Sequence, residues 1–370
     1  MSSSPLRDAA CMAGIGTTAY GSFPDNDTYG LGAEALLAAL DDCGLELADI
    51  DGLIVNRIPS YERFAEMMGI SPRFCLQTDS PGRYSAVSLM LATQAIATGA
   101  AEVVALVYGN NGRSNRVFYG GGEGEWAPWG MSSPGASHAM QFQAHMARFG
   151  TRSEDLGHVS VAFRKHARLN PQAVMRKPIT LEDHDSSRFI CEPLRLLDYC
   201  LINDGGVAWI VTTPERAKDL RKKPVYVSGY ARQDVYESTP RLDCWYPELK
   251  RIEARVYENA GIGRDEIDGL MIYDNFSPTV LFALEGLGFC GQGEAGDFVK
   301  DGTLELGRGR WPTNTSGGHL SESYMQGWAL IAEAVRQLRG ECGERQIPDA
   351  RAIQFIAATP ISSSIIFRRD

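Results

Sequence analysis

Two segments of this chain carry the same helix–turn–strand pattern, and that repetition limits the fold more than any other feature. Residues 44–55 read GLELADIDGLIV and residues 261–272 read GIGRDEIDGLMI, with Gly, Ile, Asp, Gly and Leu at matching places. Ahead of each lies a stretch with apolar residues at helical spacing, Leu31 to Leu45 in one case and Glu248 to Ile262 in the other. Each runs through a short acidic connection into an apolar strand, Leu53–Val55 or Leu270–Tyr273. A looser pair follows the same grammar. Ala86 to Gly109 reads as an Ala-rich helix, a stop at Gly99 and a buried strand at Val103–Tyr108; Met325 to Thr359 repeats that order with a stop at Gly340 and a strand at Ala352–Ala358. Helices alternating with continuous apolar strands predict a layered α/β architecture. The halves divide into 1–222 and 223–370, related by a pseudo-twofold axis, and a cleft between them takes residues from both. Residues of about 110–200 break the pattern with Gly120-Gly121-Gly122, a Trp/Pro-rich stretch at Trp126–Pro134 and a basic helical region at Phe163–Arg168. They read as an insertion from the first half, the kind that covers a site.

Composition narrows the function. Thirty-six Lys and Arg against 46 Asp and Glu give a net charge of -10. No basic run exceeds Arg221-Lys222-Lys223, which argues against a nucleic-acid partner. No apolar run reaches the ~20 residues of a membrane helix, and the start lacks a signal-peptide pattern. The eight cysteines include no CxxC pair, which argues against zinc or a disulfide framework and for a reducing cytoplasm. Gly120 to Gly124 lacks the Lys-Ser/Thr of a phosphate loop, the six histidines include no HExxH, and no Gly-x-Ser-x-Gly elbow is present. Neither metal nor hydrolase chemistry is supported.

What stands out lies in the second half. Tyr273-Asp274-Asn275-Phe276-Ser277 sits where the repeated strand ends, a common place for functional groups in α/β sheets. Asn314-Thr315-Ser316-Gly317-Gly318-His319 then runs through small residues to Tyr324. Such chain lets backbone N–H groups approach a ligand closely. A strand tyrosine with a satisfied hydroxyl and a plain Gly-Gly turn are the bland alternatives.

These segments, together with Phe149-Gly150-Thr151, His166-Ala167, Asn170-Pro171, Arg176-Lys177-Pro178, Leu196-Leu197-Asp198, Asn203-Asp204-Gly205-Gly206 and Gln337-Leu338-Arg339-Gly340, resemble the thiolase superfamily. The likeness runs over nearly the whole chain. It is greatest to the sterol-carrier-protein-x thiolases and the related bacterial lipid-transfer proteins, among them the steroid side-chain-cleaving aldolases. The resemblance implies an αβαβα thiolase fold. It also places Gly82 where thiolases carry their nucleophilic Cys, Tyr324 where they carry a His, and Ala357-Ala358-Thr359-Pro360 where a second Cys belongs. The family's strand-end His or Asn is Tyr273.

Loss of the thiolate removes the acyl-enzyme route. Tyrosines at both polar catalytic places are what the resemblance associates with aldolases that cleave a β-hydroxyacyl-CoA to a shorter acyl-CoA and a ketone or aldehyde. Retro-aldol cleavage needs a base, an acid and enolate stabilisation, and tyrosine serves as acid or base once its pKa, near 10 in water, is tuned. Tyr324 is read as base toward the hydroxyl. Tyr273 would serve the thioester oxygen or protonate the enolate carbon, and the order is reversible. Asn275, Gly317, Gly318 and His319 are possible oxyanion or supporting groups. Arg164, Lys165 and Arg176, with Arg168 and Lys177 nearby, are candidates to meet the phosphates of coenzyme A, a solvated helix face being the alternative. No cofactor is expected beyond coenzyme A as part of the substrate. The resemblance further implies a homodimer joined by a small OB-fold/zinc-ribbon partner in a heterotetramer. Two alternatives stay open: a non-catalytic acyl-CoA-binding subunit, and a thiolase with a displaced nucleophile such as Cys75.

Overall fold

The computed structural model describes residues 4–78, 84–117, 127–234, 245–358 and 361–369. Gly82, Gly120 to Gly124, Thr359 and Pro360 therefore lie outside the described residues. Among the described residues there are eleven strands: β1 (Cys11–Thr17), β2 (Gly52–Asn56), β3 (Phe74–Thr78), β4 (Val103–Asn110), β5 (Phe189–Cys191), β6 (Leu194–Arg195), β7 (Gly205–Thr212), β8 (Val225–Asp234), β9 (Gly269–Ile272), β10 (Ala352–Ala357) and β11 (Ile361–Arg368). The helices of the first half are α1 (Thr28–Cys43), α2 (Tyr61–Met68) and α3 (Tyr84–Ala97). The insertion adds α4 (Pro134–Phe149), α5 (Asp155–Arg168) and α6 (Leu181–Ser186), followed by the short α7 (Pro214–Ala217). The second half holds α8 (Trp245–Ala260), α9 (Ser277–Gly286), α10 (Ala295–Phe298), α11 (Gly318–Ser321) and α12 (Trp328–Arg339).

Nine strands form one mixed sheet in the order β3-β2-β4-β7-β1-β8-β11-β10-β9. The order reads the same outward from the β1–β8 seam: β1, β7, β4, β2 on one side and β8, β11, β10, β9 on the other. The parallel pairs β2–β4 and β9–β10 are thus equivalents, as the repeat requires. Hydrogen bonding across the seam is brief, with Cys11 opposite Tyr226 and Met12 opposite Val225.

The shared Asp of the repeat has a structural cause. Asp51 accepts backbone N–H bonds from Glu102 (2.9 Å) and Val103 (2.8 Å), where β4 begins. Asp268 accepts from Arg351 (2.6 Å) and Ala352 (3.0 Å), where β10 begins. Each carboxylate ties the start of one parallel strand to its neighbour, satisfying N–H groups that the sheet leaves open.

Three apolar clusters give the layers. Helices α3 and α12 lie in the middle, packed with strand residues of both halves, including Tyr108, Trp209, Met271 and Phe355. Helices α1 and α2 cover the outer face of the first-half strands. Helices α8 and α9, joined by α4 and α5 of the insertion, cover the outer face of the second-half strands. This is the αβαβα stacking that the resemblance implies.

Two local expectations need correction. The helix read from Met325 starts only at Trp328, because Gln326 (φ 50°) and Gly327 (φ 87°) turn left-handed ahead of it. Within the stretch read as irregular, α4 begins at Pro134, with Ser133 accepting the Ala136 N–H as cap. Among the described residues no helix is long and apolar enough to cross a membrane.

Candidate active site

Strand β9 ends by pairing the Tyr273 N–H with the Ile356 carbonyl (2.8 Å), and the next residues turn at once into α9. The outer flank of β9 has no full strand beside it among the described residues. Asn314 fills the place instead: its N–H reaches the Leu270 carbonyl (2.8 Å), and its amide group takes both the N–H and the C=O of Ile272 (2.7 and 2.8 Å). That clamp brings the loop carrying Gly317, Gly318 and α11 up against Asp274.

The buried Asp274 carboxyl accepts the N–H groups of His319 (2.8 Å) and Leu320 (3.1 Å) at the start of α11. Burial pushes its pKa well above the usual carboxylate range, although the two N–H bonds pull the other way. His319 is also fully buried. Its Nε2 accepts the Gly327 N–H (2.9 Å), which leaves the proton on Nδ1, 3.3 Å from Asp274 Oδ1. Desolvation holds the imidazole neutral, its pKa pushed down to about 3.

Tyr324 follows α11, and its N–H is held by the Asn203 side-chain oxygen (2.7 Å). Its hydroxyl meets that of Tyr273 at 3.0 Å. His319 stands edge-on to both rings, at centroid distances of 4.6 Å and 5.1 Å. Gly327 completes the packing, since a Cβ there would fall 3.2 Å from the Tyr273 ring and 2.6 Å from Ser85 Oγ of α3. Tyr273 is 1% exposed. Tyr324 reaches a cavity of about 340 Å³ whose wall includes Asn275 and Phe276 from the second half and Val117, Pro134, Ile190 and Tyr199–Ile202 from the insertion. Both halves build the cleft.

The other expected site residues divide. Asn275 is on the cavity wall. Gly317 does not offer its N–H as an oxyanion donor in this arrangement, and both glycines have a packing role. The Gly317 N–H goes to the Asn314 carbonyl (2.9 Å), a Cβ on Gly317 would lie 2.6 Å from Ala167, and one on Gly318 would overlap Asp274. These glycines let the loop pack on α5 and on the carboxyl. His319 orients the tyrosines from behind, its Nε2 already engaged.

Arg164 does not face outward as a phosphate contact would. It is buried, with Nε on Ser321 Oγ (2.9 Å) and Nη1 on the Lys177 carbonyl (2.9 Å). Lys165 is paired with Glu305 at 2.6 Å. Arg176 is exposed, 3.3 Å from the Arg168 carbonyl. The basic helix is therefore mainly a bracket between the insertion and the loop after α10, with His166 joining in through the Asn314 carbonyl and the Leu306 N–H.

Cys75 packs with the outer layer of α1 and α2, not the central layer that holds the tyrosines, and burial raises its thiol pKa. Cys200 does line the cavity, but burial and then the neighbouring Asp274 push its thiol far up, so it stays protonated. Sequence reasoning passed over Tyr199, Asn203, His138 and Gly327. The Ser133-Pro134 cap would have revealed the helix that carries His138; nothing local marks the other three as site residues.

A family model described as thiolase C-terminal domain-like matches residues 234–360. A steroid side-chain-cleaving aldolase of Thermomonospora curvata is 38% identical, covering 98% of this chain and 98% of that protein. A 17-hydroxy-3-oxo-4-pregnene-20-carboxyl-CoA lyase of Mycobacterium tuberculosis is 39% identical over 90% of this chain and 92% of that protein. Among solved structures, an Ltp2-ChsH2(DUF35) aldolase matches with a TM-score of 0.93 at 39% identity, covering 99% of each chain. Human mitochondrial 3-ketoacyl-CoA thiolase, with a TM-score of 0.74 and 14% identity over all of both chains, shares the fold. The chain belongs to the thiolase superfamily, in the branch of the steroid side-chain-cleaving aldolases and their sterol-carrier-protein relatives.

Proposed function

We propose that this protein is an acyl-CoA retro-aldolase, a carbon–carbon lyase that splits a β-hydroxyacyl-CoA with a steroid or similarly bulky side chain. The observation that carries the reading is the 3.0 Å contact between the Tyr273 and Tyr324 hydroxyls at the end of a largely apolar cavity. The β-hydroxyl proton passes to Tyr324, the Cα–Cβ bond breaks, and its electron pair enters the thioester as an enolate. A ketone or aldehyde leaves. The enolate carbon then takes a proton, so the net change moves one proton from oxygen to carbon. A phenolate on either tyrosine accepts the other's O–H in a charge-assisted hydrogen bond, and the pair can return the proton it received. Coenzyme A enters as part of the substrate; no cofactor is assigned.

A partner belongs to this reading. The similar Ltp2-ChsH2(DUF35) aldolase is named as a complex, and this chain exposes Val117, Phe189, Ile190, Leu196 and Ile202 on the insertion, three of them on the cavity wall. A small OB-fold/zinc-ribbon chain covering that rim, on a homodimer of this chain, would give a heterotetramer. Among the described residues no two cysteines are joined in a disulfide, which supports a cytoplasmic setting.

The chain, co-expressed with a small zinc-ribbon partner, should convert members of a β-hydroxyacyl-CoA panel to a shortened acyl-CoA and a carbonyl product, both identified by mass spectrometry. A complex that binds these esters and cleaves none would instead be a non-catalytic subunit.

A further inference from the structure

Two polar atoms on the cavity wall have no protein partner although both are buried: the Tyr199 hydroxyl and the Asn275 Oδ1. Buried polar groups are nearly always satisfied, so such a pair beside an apolar cavity points to a ligand as their partner. The orientation of Asn275 is fixed by chemistry. His138 Nδ1 lies 2.8 Å from the Pro134 carbonyl and must donate to it, which leaves Nε2 as an acceptor. The Asn275 Nδ2 stands 3.4 Å from that Nε2 and can only donate. The amide oxygen is thereby turned away from His138. Tyr199 is held edge-on to Phe276, with its hydroxyl where a Cβ on Gly135 would lie 2.5 Å away. Burial pushes its pKa up to about 12, so it is a neutral donor.

We propose that Tyr199 and Asn275, the latter oriented by His138, bind one ligand group that both takes and gives a hydrogen bond. The wall offers one O–H and one C=O. A secondary amide of the coenzyme A arm has the matching chemistry; the β-hydroxyl of the acyl part does not, since the reaction delivers its one proton to Tyr324. The assignment rests on the CoA-ester reading above and makes His138 a positioning residue.

Tyr199→Phe and Asn275→Ala would be compared with the full chain, with any co-purifying partner retained, toward CoA, octanoyl-CoA and 3-hydroxyoctanoyl-CoA. Binding of the first two is read by calorimetry. The third is read from the concentration dependence of its cleavage, or by calorimetry if it is not cleaved. Each variant is expected to weaken binding about three- to tenfold, the loss typical of one hydrogen bond. Weakening of all three ligands supports the amide; weakening of the hydroxylated ester alone overturns it. Unchanged binding of all three overturns the proposal, as does a wild-type chain that binds none. Binding without cleavage in the wild type leaves this proposal standing, and the β-hydroxyacyl-CoA panel then decides the aldolase reading separately. His138→Leu should reproduce Asn275→Ala, and His138→Gln, which restores an acceptor, should recover most of the loss. Equal loss in both His138 variants, tracking a lower melting temperature, would mean mere packing and overturn the positioning role.

Discussion

The hydroxyls of Tyr273 and Tyr324 share a hydrogen bond of 3.0 Å, although one ring follows the edge strand β9 and the other a one-turn helix. Their backbones are fixed independently, Tyr273 by the Ile356 carbonyl and Tyr324 by the Asn203 side chain. Tyr273→Phe and Tyr324→Phe should each lower kcat by about 10²- to 10⁴-fold while the chain stays folded. The double variant should fall little below the worse single one, because groups acting as a unit are non-additive. Steady-state turnover with circular dichroism checks this; near-wild-type turnover in both variants removes the assignment.

His319 works by accepting a hydrogen bond. His319→Ala leaves the buried Gly327 N–H unpaired and should cost about 1–3 kcal/mol in denaturant melts, whereas an acceptor such as Gln should cost less. The pH dependence follows from its depressed pKa. As pH falls below 6.5, the unfolded chain takes up a proton that the folded chain refuses until about pH 3. Stability therefore drops on acidification through that window, and the drop should be smaller in His319→Gln.

Glu322 acts in the opposite sense. It is buried, accepts from Asn170 (3.0 Å) and Ser316 (2.6 Å), and has its pKa raised to about 7 by burial and then by the charge of Glu333. Between pH 4.5 and 7 the folded chain holds a proton that the unfolded chain has lost, so stability falls as pH rises. The whole effect amounts to roughly 3 kcal/mol. Glu322→Gln keeps both partners and should flatten this slope, giving a higher melting temperature at pH 8 than the wild type. An unchanged slope would show that other groups carry it.

Glu333 neutralises the buried guanidinium of Arg345 (2.9 Å) and accepts from Thr315 (2.9 Å). Glu333→Ala strands that charge and should cost about 3–5 kcal/mol. Because Thr315 adjoins Asn314, turnover should decline with it. Thermal melts and activity at matched folded fraction separate the two effects.

The layered fold was readable because periodicity and the IDGL repeat are local signals with local causes. Asp51→Ala and Asp268→Ala should each lose about 1–3 kcal/mol, two backbone N–H groups going without acceptor in both cases, with kcat unchanged in the folded fraction. The tyrosine pair was legible through the resemblance and through its place at a strand end. The errors came where burial decides. Arg164 and Lys165 look like a basic face in one dimension, yet α5 lies against the loop that carries Ser321, so Arg164 is turned inward, while the exposed Lys165 is paired with Glu305. Gly317 and Gly318 read as an anion cradle, but the space beside them holds Ala167 and Asp274. Tyr199 and Asn203 come to the site only because the chain returns from the insertion across Phe276, through the Tyr199–Phe276 bridge.

Tyr273, Tyr324, His319 and Gly327 all belong to the second half, while most of the cavity wall comes from the segment between β4 and β7. Reagent and vessel are thus encoded separately. Exchanging the 111–202 segment for that of a relative, with Asn203 kept to hold the Tyr324 N–H, should transplant ligand preference wholesale and leave the proton-handling couple where it was.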